Sequence, residues 1–90
     1  MLNVTEKAAA ALGTSLQDAT QKEEETFRLH RSGDGLGLAI DQERDGDQVV
    51  EHDKRKVLVI EQAIANELDG AQLDAVETPE GRRLVLQSPS

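Results

Sequence analysis

The order of apolar and polar residues at the start of the chain changes from a strand repeat to a helical repeat. Leu2 and Val4 lie on either side of Asn3, which is the two-residue period of a strand. Thr5 then occupies a position typical of a helix N-cap. The apolar residues that follow at helical spacing are Ala8, Ala9, Leu12, Leu16 and Ala19. This pattern predicts a short strand and a helix from about residue 6 to residue 19, ended by a polar loop.

A strand repeat begins after residue 25 and continues on both sides of a glycine-rich stretch. Phe27 and Leu29 alternate with Arg28 and His30. After "RSGDG" the same alternation resumes with Leu36, Leu38 and Ile40. We therefore predict two strands that are joined across the glycines.

The second half of the chain alternates short apolar segments with turn residues. Asp45-Gly46 predicts one tight turn and Asp53-Lys54 another, and "TPEG" predicts the turn of a C-terminal hairpin. Gly70 is placed as the left-handed cap of a two-turn helix in "EQAIANELDG". The predicted strands are "QVVEH", "RKVLVI", "AQLDAV" and "RRLVLQ", of which "RKVLVI" is apolar enough to be buried on both faces. Short, mainly antiparallel strands with two helices predict a single α+β domain over residues 1–90.

Composition limits the chemistry that this chain can perform. It has no cysteine, which excludes disulfides, thiolate zinc sites, cysteine nucleophiles and cysteine-held iron–sulphur clusters for the chain by itself. Ser32 in "RSGDG" lacks the G-x-S-x-G pattern of a nucleophile elbow. We therefore expect no enzyme, no catalytic residue and no cofactor.

Charge and hydropathy exclude two further classes of partner. Ten Lys and Arg residues against 18 Asp and Glu residues give a formal net charge of -8, which repels nucleic-acid phosphates. The basic clusters Lys54-Arg55-Lys56 and Arg82-Arg83 both have acidic neighbours, so we expect no nucleic-acid binding. The apolar run at residues 57–60 is far shorter than the roughly 18 residues of a membrane span. We expect a soluble, cytoplasmic protein with no membrane partner.

The glycine-rich stretch invites comparison with a phosphate-binding loop. Gly33-x-Gly35 follows a predicted strand, and exposed backbone N–H groups can hold an anion. The sixth position of that pattern is Leu38, however, and the loop leads into a strand instead of a helix. The sequence favours a plain connection between strands.

Residues 41–52 come close to the pattern of a calcium-binding loop. Asp41, Glu43, Asp45 and Gly46 occupy positions one, three, five and six, but position twelve is His52 where a glutamate is required. Because strands flank the segment, we favour a hairpin turn, with weak adventitious Ca²⁺ or Mn²⁺ binding left open.

Two histidines are the remaining candidates for a metal site. His30 and His52 lie on predicted strands, and together with Asp34 or Asp53 they could hold a first-row metal if the fold brought them together. Two solvent-facing strand histidines are the favoured interpretation. We expect no metal site, and His30, Asp34 and His52 stand as weak candidates.

Four segments together resemble the HesB/IscA-like family of A-type iron–sulphur cluster carriers. "LNVTEKAAAAL" is similar to the family's opening strand and helix, and "VVEHDKRKVLV" to its central hairpin. "LDGAQLDAVE" is similar to its helix exit and next strand, and "LVLQSP" to its last strand. The resemblance covers nearly the whole chain and is most specific over residues 48–77. It implies a β-sandwich or pseudobarrel of short strands with an N-terminal helix and one short internal helix.

The resemblance also implies a function and a departure from it. Such carriers use one cysteine in the glycine-rich loop and two in a C-terminal Cys-Gly-Cys tail, and this sequence has none of them. It therefore implies an accessory or interaction module in iron–sulphur cluster assembly or iron handling, without a thiolate-ligated cluster. Its partners would be proteins, among them iron–sulphur assembly proteins or a second copy of the chain. The alternative is a weak iron or divalent-metal binding protein that uses oxygen and nitrogen ligands.

Overall fold

The computed structural model describes residues 1–33 and 35–87, which form two helices and seven strands. In chain order these are β1 (Asn3–Val4), α1 (Glu6–Ala19), β2 (Glu25–Ser32), β3 (Gly35–Gln42), β4 (Gln48–His52), β5 (Arg55–Ile60), α2 (Gln62–Glu67), β6 (Gln72–Thr78) and β7 (Gly81–Gln87). The predicted α+β class is confirmed, and the predicted helix over residues 6–19 agrees with α1.

Helix α1 begins where the sequence predicts. The Thr5 hydroxyl accepts a hydrogen bond from the Ala8 N–H at 3.1 Å and donates one to Asp74 at 2.8 Å. The first bond satisfies an N–H that the helix itself leaves unpaired, and the second connects the helix start to β6. Thr5 therefore fixes both the first turn of α1 and its position beside the sheet.

The strands form two sheets, and each sheet contains one parallel pair. The three-stranded sheet has the order β1-β6-β7, and the four-stranded sheet has the order β3-β2-β5-β4. β1 runs parallel to β6 and β2 runs parallel to β5, while the other pairs are antiparallel. The expectation of mainly antiparallel strands is correct for most pairs. These parallel pairs join residues that are distant along the chain, which short-range alternation does not reveal.

Helix α1 packs against strands of both sheets, and the core lies around it. Leu12 and Leu16 of the helix are 2% and 0% exposed, and residues 57–60 of β5 are all 0–1% exposed. β5 is therefore buried on both faces, as its unbroken apolar sequence predicts.

The connection over residues 43–47 does not form the hairpin that we predicted. The strands it joins, β3 and β4, lie at opposite edges of the four-stranded sheet with β2 and β5 between them. Asp45 and Gly46 do form a turn, and Gly46 has a φ of +87°. The segment crosses the end of the sheet instead, and Arg28 of β2 binds residues at both of its ends.

Candidate functional site

The glycine-rich stretch forms the tight turn between β2 and β3. The two strands pair from Glu25 and Gln42 as far as Ser32 and Gly35, so only two residues join them. Gly33 has a φ of +57°, a left-handed conformation that glycine adopts at little cost. Asp34, one of the weak metal candidates, lies outside the described residues. The two strands are joined across the glycines, as predicted.

His30 lies on β2 across from a glycine of β3. It is half-buried, and its register partner is Gly37. A Cβ atom added at Gly37 would lie 3.2 Å from both Cε1 and Nε2 of His30, closer than ordinary packing allows. The imidazole therefore occupies the space that a side chain at position 37 would take. Its Nδ1 lies 3.2 Å from the carbonyl oxygen of Arg31.

His52 ends β4 and faces helix α1. Its Nε2 lies 3.5 Å from the carboxylate of Asp53, and its Cδ2 would lie 3.7 Å from a Cβ added at Gly13. Asp53 and Lys54 have φ values of 53° and 67°, which gives the tight turn predicted from the sequence. His52 is half-buried, so neither histidine is as solvent-facing as we expected.

The fold does not bring the two histidines together. His30 follows Leu29, whose partner is Ile60 at the end of β5, whereas His52 pairs with Arg55 at its beginning. At about 3.3 Å per residue, the length of β5 separates them by roughly 15–20 Å along the sheet. Among residues 1–33 and 35–87, no three His, Cys, Asp or Glu side chains are grouped so that they could hold a metal ion.

Three acidic residues of the near-calcium loop bind basic side chains of the protein instead. Asp41 accepts from Arg28 Nε at 2.8 Å and from Arg44 at 3.0 Å, and Asp47 accepts from Arg28 Nη1 at 3.1 Å and Nη2 at 2.5 Å. Glu43 lies 3.2 Å from Lys56 Nζ. These carboxylates are neutralised by side chains of the protein, so they are poor ligands for a cation.

This cluster of Arg28, Asp41 and Asp47 shifts the titration of its members. The hydrogen bonds from Arg28 hold the pKa of the Asp47 carboxyl below its ordinary value, although burial acts in the other direction. The pKa of Asp41 is lowered chiefly by the hydrogen bond from the Gln42 N–H, and by Arg28 as well. The bond to Asp47 raises the pKa of Arg28.

The alternation of apolar and polar residues along β2 did not reveal this cluster, because that pattern places Arg28 on the solvent-facing side of an amphipathic strand. Arg28 is in fact 8% exposed, since the crossing connection covers that side of β2. The sequence contained one indication of the cluster, namely Arg28 within a predicted strand and the acidic residues Asp41 and Asp47 near a predicted turn. Nothing in the pattern places them side by side.

An apolar groove of about 750 Å³ opens between β3 and β7. Phe27, Leu38 and Leu84 line it together with apolar residues of α1, and its rim carries Glu77 and the Arg82-Arg83 pair. Leu38 is also one of three large apolar residues that β3 exposes.

No helix in the described part of the chain is long and apolar enough to cross a membrane. No protein-family model matches the sequence, and no curated protein matches it.

Solved structures, in contrast, share its fold. Escherichia coli SufA, a protein involved in biosynthesis of iron–sulphur clusters, superposes with a TM-score of 0.73 and 25% identity over 97% of this chain and 84% of SufA. A protein from Aquifex aeolicus superposes with a TM-score of 0.65 and 26% identity, over 98% of this chain and 91% of the Aquifex protein. IscA with a [2Fe-2S] cluster superposes with a TM-score of 0.62 and 16% identity, over 99% of this chain and 86% of IscA.

The fold is therefore the HesB/IscA-like one, and the resemblance that the sequence suggests is confirmed. Because the chain has no cysteine, it is a divergent member of this structural class.

Proposed function

We propose that this protein is a non-enzymatic accessory or interaction module in iron–sulphur cluster assembly or iron handling, and that it does not itself hold a thiolate-ligated cluster. The observation that carries the proposal is the combination of a fold shared with SufA and IscA with a complete lack of cysteine. The structural likeness to SufA, which is involved in biosynthesis of iron–sulphur clusters, supports a general role in cluster biogenesis.

The chemistry of the donor atoms supports the absence of a cluster. Iron–sulphur clusters are held mainly by cysteine thiolates, and histidine replaces only some of them in special cases. Oxygen and nitrogen are the donors that this chain offers, and its two histidines lie at opposite ends of β5. The turn at Gly33, where relatives are expected to carry a cysteine, here serves to reverse the chain.

Anaerobic reconstitution with iron and sulfide tests this proposal. We expect the desalted protein to show no cluster-like visible absorption, and E. coli SufA treated in parallel serves as the positive control. Cluster absorption that survives desalting would overturn the proposal outright.

The same preparation without sulfide tests the alternative of weak metal binding. We expect no iron to be retained after desalting. Retained iron that is lost in His30→Ala, Asp34→Ala or His52→Ala would favour a site made of oxygen and nitrogen ligands. Because the two histidines are far apart, a change in only one of the two histidine variants would identify which end of β5 holds the ion.

We further propose that the partner is a protein, either another component of iron–sulphur assembly or a second copy of this chain. A pull-down from the source cell, analysed for iron–sulphur assembly proteins, tests the first case. Its failure to recover any of them would count against a role in assembly. The cytoplasmic location expected from the sequence stays a prediction.

A further inference from the structure

A small polar pocket lies between helix α1 and the turn that joins β4 to β5. Its volume is about 310 Å³, at the lower end of the range of about 300–1,000 Å³ for ligand pockets, so it suits a small ligand. One face of the helix forms one wall, and the turn with its flanking strand ends forms the other. The polar lining consists of Thr14 and Gln17 from α1 and of His52, Asp53 and Arg55 from the opposite wall.

The polar groups of the pocket are mainly hydrogen-bond donors. The Arg55 guanidinium carries only N–H donors, the Gln17 amide has an NH₂ group, and a ring nitrogen of His52 donates as well. The carboxylate in the described lining belongs to Asp53, whose side chain is 91% exposed. Solvent therefore screens its charge, and the pocket favours a ligand that accepts hydrogen bonds.

The guanidinium of Arg55 is incompletely satisfied by the protein. Its Nε is buried and has no hydrogen-bond partner among the described residues, while its Nη2 donates to the Lys22 carbonyl oxygen at 3.3 Å. Buried donors are rarely left unpaired, because the lost hydrogen bond to water costs free energy. A guanidinium binds an oxyanion through two parallel N–H groups. A turn of Arg55 into the pocket would let a bound anion supply the acceptors that Arg55 lacks.

The single glycine of α1, Gly13, keeps the helix side of the pocket open. Glycine within a helix is less stable than alanine, so its presence calls for a reason. Close packing is not that reason, because a Cβ at position 13 would lie 3.5 Å from Val57 Cγ1 and 3.7 Å from His52 Cδ2, which are ordinary contact distances. An alanine would therefore fit the fold, but its methyl group would take space beside His52 in the pocket.

We propose that this pocket binds a tetrahedral oxyanion of the phosphate class, held by the Arg55 guanidinium with the His52 imidazole and the Gln17 amide beside it. Arg55 is the centre of Lys54-Arg55-Lys56, the longest basic run of a chain whose net charge is -8. The guanidinium is always charged, so the same wall repels a metal cation. The inference goes beyond the proposed function and does not depend on it, because it concerns neither a cluster nor an assembly protein.

The two histidines provide an NMR test with an internal control. In a phosphate-free buffer at fixed pH with EDTA, added inorganic phosphate should shift the ring-proton signals of His52 saturably. The signals of His30, roughly 15–20 Å away along the sheet, should stay unchanged. Sodium chloride at equal ionic strength controls for screening, and His30→Asn assigns the signals. Glycerol 3-phosphate in parallel shows whether a free ion or the phosphate group of a larger molecule binds more tightly.

Three variants test the residues that form the site. Arg55→Gln should weaken phosphate binding by about tenfold or more, because it removes a charge-assisted pair of hydrogen bonds. Lys54→Gln makes the same change of charge at the neighbouring exposed residue and should weaken binding by less than about fivefold. Gly13→Ala should weaken it as much as Arg55→Gln does, while the protein keeps or gains thermal stability. A loss of binding in Gly13→Ala therefore cannot be attributed to unfolding.

Each of three results would overturn the inference. The first is the absence of a saturable His52 shift at millimolar phosphate and at millimolar glycerol 3-phosphate. The second is an equal shift of the His30 and His52 signals, which would indicate general screening by an adventitious ion only. The third is equal binding by the wild type, Arg55→Gln and Gly13→Ala.

Discussion

The guanidinium of Arg28 meets the carboxylate of Asp47 through two hydrogen bonds, Nη1 to Oδ1 at 3.1 Å and Nη2 to Oδ2 at 2.5 Å. Both side chains are largely buried, at 10% and 4% exposure. The same Nη2 also donates to the carbonyl oxygen of Gln42 at 3.0 Å. One side chain in the middle of the sheet therefore fixes both ends of the connection between β3 and β4.

Arg28→Ala should lower the free energy of unfolding by about 3 kcal/mol, because it leaves the Asp47 carboxylate buried without its partner. The free energy of unfolding of Arg28→Lys should lie between those of the wild type and Arg28→Ala, since an ammonium group cannot reproduce the two parallel hydrogen bonds. Urea denaturation measures both. The matched control is Arg31→Ala on the same strand, whose partner Glu67 is as exposed as Arg31 itself, and it should cost less than about 1 kcal/mol. Equal effects at positions 28 and 31 would contradict the structural role of this cluster.

Acid should destabilise the protein through Asp47. Its folded pKa lies below the ordinary 3.8, so the folded state binds fewer protons than the unfolded state between these two values. The free energy of unfolding therefore falls as the pH is lowered from about 3.8 through the folded pKa, and this contribution is complete at higher pH. Asp47→Asn should be less stable than the wild type at neutral pH and should lose less stability over the acid range. Parallel pH profiles of the two proteins would contradict this prediction.

Thr5→Ala should destabilise the protein by about 1 kcal/mol or more, because it removes the N-cap of α1 and the hydrogen bond to Asp74 together. Thermal unfolding followed by circular dichroism measures the change. Thr14→Ala on the same helix is the control, because that exposed hydroxyl donates only to the Ala10 carbonyl. It should be neutral or slightly stabilising, since Ala is the better helix former.

Gly13→Ala should stabilise the protein by about 0.5–1 kcal/mol, because glycine within a helix costs conformational entropy. The new methyl group would lie 3.5 Å from Val57 Cγ1 and 3.7 Å from His52 Cδ2, which are ordinary packing distances. Gly46→Ala is the contrasting variant, because its φ of +87° strains any residue with a side chain, and it should destabilise. A loss of stability in Gly13→Ala would indicate that the helix approaches β4 more closely than these distances allow.

Local features of this fold could be predicted from the sequence because local chemistry determines them. Thr5 marks the start of α1, Asp53-Lys54 forms its turn, and the apolar run of β5 is buried. Each depends on residues within a few positions of one another. The resemblance to a known family added the overall class, since it compares the whole order of elements.

The features that the sequence did not reveal all depend on which strands lie next to each other in the sheets. The parallel pairing of β2 with β5 moves β3 and β4 to opposite edges, so the predicted hairpin becomes a crossing connection. That connection buries Arg28, and the edge position of β3 exposes Leu38, although alternation assigns them the opposite environments. The two histidines are kept apart by the same strand order.

The two parallel strand pairs, β1 with β6 and β2 with β5, also affect how fast the chain can fold. Phe27 pairs with Leu58 and Asn3 pairs with Gln72, so each sheet contains one pair of strands that are distant along the chain. Loop closure over such separations must precede the gain from pairing, which raises the contact order and slows the search for the native state. While β5 is still unpaired, its apolar residues are exposed to other unfolded chains, and this strand is where aggregation during synthesis would begin.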